Sequence, residues 1–100
     1  MSIIEEAKEI RGGSRQSDYG DCVANMQRIS EIATLINGRR LTPKECTIVL
    51  IAVKLSREAF KHKRDNLVDL IGYADILNEV IEHDNSVHNP TQRKICANID

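Results

Sequence analysis

From Lys54 to Lys61 the chain reads KLSREAFK, and its ionisable residues Lys54, Arg57, Glu58 and Lys61 recur at i, i+3, i+4 and i+7. That spacing lays them along one stripe of a helix. Asp65, Asp69, Gly72 and Tyr73 follow at i, i+4, i+7 and i+8. Only the break at His62 to Arg64 separates the two stripes, short enough for an antiparallel hairpin. With the turn centred near Lys63, Glu58 lies opposite Asp69 and Lys54 opposite Tyr73, and Lys54 and Asp69 are less than a turn out of step. Two uses of these charges stay open. In one, Lys54 or Arg57 pairs with Asp69 in an internal network that leaves no charge alone in a small core. In the other, Lys54 and Arg57 hold an anionic group, the planar Arg fork matching a phosphate, while Asp65 and Asp69 accept from sugar or base donors. The two are compatible, since a network can lock the side chains of a site that it also lines.

Other residues extend the candidate site. The polar connection RGGSRQSDYGD, residues 11–21, is long enough to suggest function. Within it Tyr19 can lie over a base or sugar, Asp18 can accept a hydrogen bond and Gly20 leaves the backbone room to approach. The alternative is a capping turn with Tyr19 as an apolar plug. Asn25 and Arg28 sit one turn apart and can face the same cleft. His62 belongs to the basic run Lys61-His62-Lys63-Arg64, which suits a phosphate-bearing molecule or a solvated loop. The candidate ligand contacts are therefore Asp18, Tyr19, Arg28, Lys54, Arg57, Glu58, His62, Asp65, Asp69 and Tyr73. His83 and His88 read as surface histidines. Cys22 and Cys46 stand near helix starts, where a thiol pKa can be lowered, but with no partner base they read as small buried residues. The three cysteines are widely spaced and lack a C-x-x-C pattern, so neither a disulfide framework nor a zinc site is expected.

The elements that carry these groups are helical. Ile3, Ile4, Ala7 and Ile10 have helical spacing, and Arg11-Gly12-Gly13 ends that helix. Glu5-Glu6-x-x-Glu9 on it reads as a solvated face. A second helix starts at Asp21 as N-cap, buries Val23, Met26, Ile29, Ala33 and Ile36, and stops at Asn37-Gly38. Thr42-Pro43-Lys44-Glu45 spells a capping box with proline in the first turn, so a third helix begins there. Its apolar run TIVLIAV predicts a helix enclosed by neighbours on several sides. Asp65 or Asn66 caps a fourth helix with Leu67, Leu70, Ile71, Ala74, Leu77 and Ile81 on its buried face. Gly72 within it costs about 1 kcal/mol relative to Ala, which predicts a close approach of another backbone or of a ligand.

One hundred residues make a single domain. The fold class is all-α, an antiparallel bundle of about four helices over residues 1–83, with 84–100 a polar C-terminal tail or packing arm. At 41% hydrophobic and 29% charged the composition suits a folded chain, and at 3% aromatic its core must be aliphatic. A net charge of −1 gives no field to attract a nucleic acid. The N-terminus is amphipathic and acidic, unlike a signal peptide, and no apolar segment approaches about 18 residues. A cytoplasmic location in a bacterial host is expected, with no membrane partner.

The set Asp18-Tyr19-Gly20-Asp21, Asn25, Arg28-Ile29, Leu41-Thr42-Pro43, KLSRE at 54–58 and HKRDNLVDLIGY at 62–73 resembles a family of small phage and prophage proteins. That family is distantly similar to the MazG-like all-α nucleotide pyrophosphohydrolases. The resemblance covers about Ser17 to Glu79. It implies a helical homo-oligomer with a nucleotide ligand, held in MazG-like enzymes against magnesium by E-E-x-x-E on one helix and E-x-x-D on the next. This chain departs from that pattern. KLSRE keeps a single carboxylate, Glu58, and DNLVD supplies Asp65 and Asp69. Three carboxylates can hold one hard cation, yet Lys54 and Arg57 beside them favour holding an anion over cleaving it. The expected function is thus a phage-type protein that sequesters a nucleotide or nucleotide-derived immune signal without turnover, with no cofactor. The alternatives are a magnesium-dependent nucleoside triphosphate pyrophosphohydrolase using Glu58, Asp65 and Asp69, and a helical protein-interaction module.

Overall fold

The computed structural model of the protein describes residues 1–13 and 21–88. Among them run four helices and no strand: α1 (Ile3–Gly12), α2 (Cys22–Asn37), α3 (Pro43–Phe60) and α4 (Arg64–His88). The expected all-α architecture is the observed one. Residues 84–88, read from sequence as the start of a tail, continue α4, while 89–100, with Cys96, lie outside the described residues.

The first three helices begin where a side chain satisfies an orphan backbone donor. The Ser2 hydroxyl accepts from the Glu5 N–H at 3.1 Å, and the Asp21 carboxylate from the Ala24 N–H at 3.1 Å. At Thr42 the box is complete: its hydroxyl accepts from the Glu45 N–H at 3.1 Å, and the Glu45 carboxylate accepts from the Thr42 N–H at 3.0 Å. Two donors are satisfied reciprocally. Thr42→Ala is accordingly expected to lower stability by about 1 kcal/mol, read as a lower urea midpoint at unchanged slope; an unchanged midpoint would mean that the cap is redundant. At the other end of α2, Gly38 takes φ +77°, and its N–H donates to the Thr34 carbonyl at 3.0 Å.

α4 packs on all three other helices, and α2 packs on α3. Met26, Cys46, Ile76 and Val80 form the buried core cluster, ringed by Val23, Ile29, Ala33, Leu41, Leu50 and Tyr73. The α2–α3 connection is stitched down by Thr34, whose hydroxyl accepts from the Leu41 N–H at 3.0 Å, and by Ser30, whose hydroxyl donates to the Leu41 carbonyl. The two connections place α2 against α3 and α3 against α4 in antiparallel sense. α1 lies along α4 in parallel sense, as its pairings show. Arg64 donates to the Glu6 carboxylate at 3.1 Å and the Met1 carbonyl at 2.6 Å, while Arg11 reaches Asp75 and Glu79 further along α4.

Four expectations are corrected. α3 is not enclosed: Ile48, Val49, Val53 and Leu55 are 36–55% exposed, because among the described residues only α2 and α4 pack on it. α4 buries Val68, Ile76 and Val80 most deeply, while the expected Leu67, Leu70, Ile71, Leu77 and Ile81 are half-buried and Ala74 is exposed, because α1 covers the helix as well as α2 and α3. Ile36 on α2 is 82% exposed, one residue before the helix ends at Asn37. Gly72 has as its nearest neighbour the Arg11 Cδ, 4.0 Å from where a Cβ would stand, which is ordinary contact and no close approach.

Candidate ligand-binding site

The hairpin register brings Lys54 Nζ to 2.7 Å from Asp69 Oδ2, with 16% and 17% of the two side chains exposed. This is the internal ion pair that the spacing allowed. It holds the middle of α3 against α4 at depth, where the pair is screened less than on the surface.

The turn is organised by Glu58. Its carboxylate accepts from the Lys63 N–H at 3.0 Å and the Asn66 side-chain amide at 3.2 Å, and it meets the His62 ring. The hydrogen bond with His62, then that from Lys63, hold the Glu58 carboxyl below its ordinary value of 4.5. Asn66 therefore faces back to α3, and neither it nor Asp65 caps the helix that opens at Arg64. The expected cap is replaced by a loop tied to a carboxylate.

Beside this turn opens a hollow of about 700 Å³. Four cations, Lys54, Arg57, Lys61 and Lys63, line it against one carboxylate, Asp65. Ser56 and Asn66 add polar groups, and Phe60, 91% exposed, adds an aromatic face. The volume lies within the usual range for small-molecule pockets, although this hollow is more polar than most. Its positive excess suits an anion, and an exposed ring beside an anion site can stack on a planar group.

Of the residues expected from sequence, Lys54, Arg57 and Asp65 share this hollow. Asp69 is engaged by Lys54, and Glu58 with His62 builds the turn. Tyr73 packs against the core cluster. Arg28 is on α2, apart from the hollow, and donates to the Asn25 side chain at 3.4 Å. Asp18 and Tyr19 lie outside the described residues. The three carboxylates of the hydrolase alternative do not converge: among the described residues no three His, Cys, Asp or Glu side chains are placed to hold a metal ion.

A second polar cluster escaped the sequence reading. Arg11 donates to Glu79 at 2.7 Å and to the Cys22 sulfur at 3.0 Å, and also engages Asp75; the Cys22 thiol donates to the same Glu79 oxygen at 2.6 Å. Asp75 and Glu79 at i, i+4 were the available signal, but nothing local named Arg11 as their partner. Burial, then the hydrogen bond to Glu79, push the Cys22 thiol from 9.0 up to about 11, and burial raises that of Cys46. The lowered thiol values conceivable at helix starts are thus reversed. The hydrogen bond from Cys22, with help from Arg11, holds Glu79 below its ordinary 4.5.

The family comparison can now be set beside this geometry. A family profile described as Domain of unknown function (DUF6378) matches residues 2–81. The chain belongs to that family. It is also similar to the Gene 55 protein of Mycobacterium phage L5, at 34% identity over 82 residues, covering 80% of this chain and 53% of that protein. The chain spans about half the length of the curated relative that it matches. No solved structure matches. The expected kinship with phage proteins is thereby supported, while neither match names a MazG-like enzyme. The matched region spans α1 to most of α4, so both polar clusters lie inside it.

The two shifted groups of the Arg11 cluster give a pH profile. Glu79 is a depressed acid, so its contribution to stability is complete above 4.5 and is lost as pH falls below that value. Cys22 is a raised acid whose neutral form the fold favours, so its contribution is complete below 9.0 and is lost as pH rises toward about 11. Thermal midpoints should fall on both flanks. Cys22→Ser should flatten the alkaline arm, and an alkaline arm identical in parent and variant would contradict this assignment.

Proposed function

We propose that the chain binds a phosphate-bearing small molecule, a nucleotide or nucleotide-derived signal, in the hollow beside the α3–α4 turn and holds it without turnover. What carries the reading is the convergence of three exposed cations, Arg57, Lys61 and Lys63, around one open space beside the exposed ring of Phe60, with Lys54 in its wall paired to Asp69. Phosphate oxygens sit on the cations, Arg57 offering a fork that matches two of them at once, and a base lies against Phe60. Asp65 is the carboxylate available to accept from a sugar or base. Glu58 and Asp69, which a hydrolase would use for magnesium, are each engaged by a neighbour, and this favours holding over cleaving. Sequestration of a nucleotide messenger suits a relative of a phage protein.

The test is recovery of the ligand. Purified protein is denatured and its small-molecule fraction examined by mass spectrometry, followed by calorimetry against a panel of nucleotides and cyclic nucleotides. An intact nucleotide released, or saturable binding to a panel member, is expected. Protein that releases none and ignores the whole panel overturns the proposal. Release of pyrophosphate from a triphosphate with magnesium, abolished by Asp69→Asn, would put the hydrolase in its place.

A further inference from the structure

α3 carries an apolar face that no described residue covers. Val49, Ala52, Ser56 and Ala59 follow one another at i, i+3, i+7 and i+10, the spacing of a helix–helix seam, and all four are exposed. Ile48, Val53, Leu55 and Phe60 flank them at 46%, 36%, 54% and 91% exposure. α2, which packs along α3, likewise leaves Ile32, Leu35 and Ile36 exposed, at 58%, 84% and 82%. By contrast, the described apolar residues that are buried number six: Ala7, Met26, Cys46, Val68, Ile76 and Val80.

We infer that this face is the interface of a two-fold dimer, in which α3 of one chain packs antiparallel on α3 of a second copy with Ala52 near the axis. The area fits. At roughly 100 Å² for a fully exposed aliphatic side chain, the exposed fractions of α3 and α2 together, Phe60 left out, amount to on the order of 400 Å². A standard interface removes about 800 Å² from each partner, a little over half of it apolar, so one face supplies the apolar share of one side. The charge pattern favours an identical partner. No charged side chain interrupts the outward face between Glu45 and Arg57, because Lys54 turns inward to Asp69. A copy therefore meets no like charge at the centre, and a net charge of −1 sets up no long-range repulsion. Small side chains at the seam let the two helices approach closely.

The orientation follows from charge as well. Parallel pairing would bring Arg57, Lys61 and Lys63 of both copies together, whereas antiparallel pairing sends these groups to opposite ends, toward Glu45 of the other chain, and opposes the helix dipoles. This inference does not rest on the nucleotide reading. It does bear on the same region: Ser56 and Phe60 line the hollow at the C-terminal end of the face, so the dimer contact is centred on Val49 and Ala52 and leaves the Phe60 ring to the hollow.

Native mass spectrometry and sedimentation of the full chain should give twice 11.3 kDa. Ala52 is exposed in the single chain, so Ala52→Glu should leave the far-ultraviolet circular dichroism unchanged. It should weaken self-association roughly 100-fold or more, the effect of burying an unpaired charge; Val49→Glu serves as a second variant. Ala52→Cys should form an intermolecular disulfide through residue 52 under mild oxidation. A mass of 11.3 kDa overturns the inference and leaves the face to a foreign protein or another segment. So does an assembly whose size neither charged variant changes, or a dimer in which Cys at position 52 does not cross-link.

Discussion

Asp69→Ala is expected to lower the unfolding free energy by about 2–3 kcal/mol, somewhat less than the cost of breaking a fully buried pair. The reason is the depth of its partner. Lys54 Nζ lies 2.7 Å from Asp69 with one sixth of each side chain exposed, so removing the carboxylate leaves an ammonium group largely cut off from water. Replacing both partners by apolar residues of similar size, Lys54→Met with Asp69→Leu, removes the desolvation of two ions together with their attraction. The double variant should recover to within about 1 kcal/mol of the parent. Urea unfolding of the four proteins in the cycle measures this. A single-variant loss near zero, or a double variant worse than the sum of the singles, would mean that the pair is hydrated and contributes little.

Arg57→Ala, by contrast, should hardly move the unfolding midpoint and should act on binding. Arg57 is exposed and lines the hollow, and the fold makes no demand on it comparable to that on Lys54. A hydrogen bond to a charged group contributes about 1.5–3 kcal/mol, so loss of the guanidinium should weaken nucleotide affinity about 10- to 100-fold. Added salt should weaken parent binding and narrow the gap between parent and variant, since the remaining cations are exposed and screened. Calorimetry of parent and Arg57→Ala at two ionic strengths decides it. Equal affinities would remove Arg57 from the site and with it the phosphate-holding part of the proposal. The two variants separate what the polar residues of this hairpin do: one loses stability, the other affinity.

Most of the helix boundaries were legible because the signals that set them are local. The Thr42–Glu45 box, Asp21 at its cap and Gly38 after α2 each involve groups within one turn, whose hydrogen bonds form whatever the rest of the chain does. That Asp69 meets Lys54 or Arg57 was legible for a related reason, because a short connection fixes the register of a helical hairpin; the fold chose Lys54. The start of α4 was misread for the opposite reason. Asp65 and Asn66 are good caps by type, but Glu58, one hairpin arm away, takes the Asn66 amide and the Lys63 N–H.

By itself, then, the amino-acid order determined an all-α chain, where three of its helices start, and that a cation of α3, Lys54 or Arg57, can meet Asp69 of α4. Tertiary packing decided which face of α4 is buried, that α3 keeps an apolar side exposed, that Arg11 reaches across to Cys22, Asp75 and Glu79, and that a cationic hollow opens beside Phe60. The physical division is one of range. Caps and hairpin registers are settled by groups a turn or two apart, whereas the rotation of a helix about its axis depends on all the neighbours competing to cover it, and those neighbours come from distant stretches of the chain.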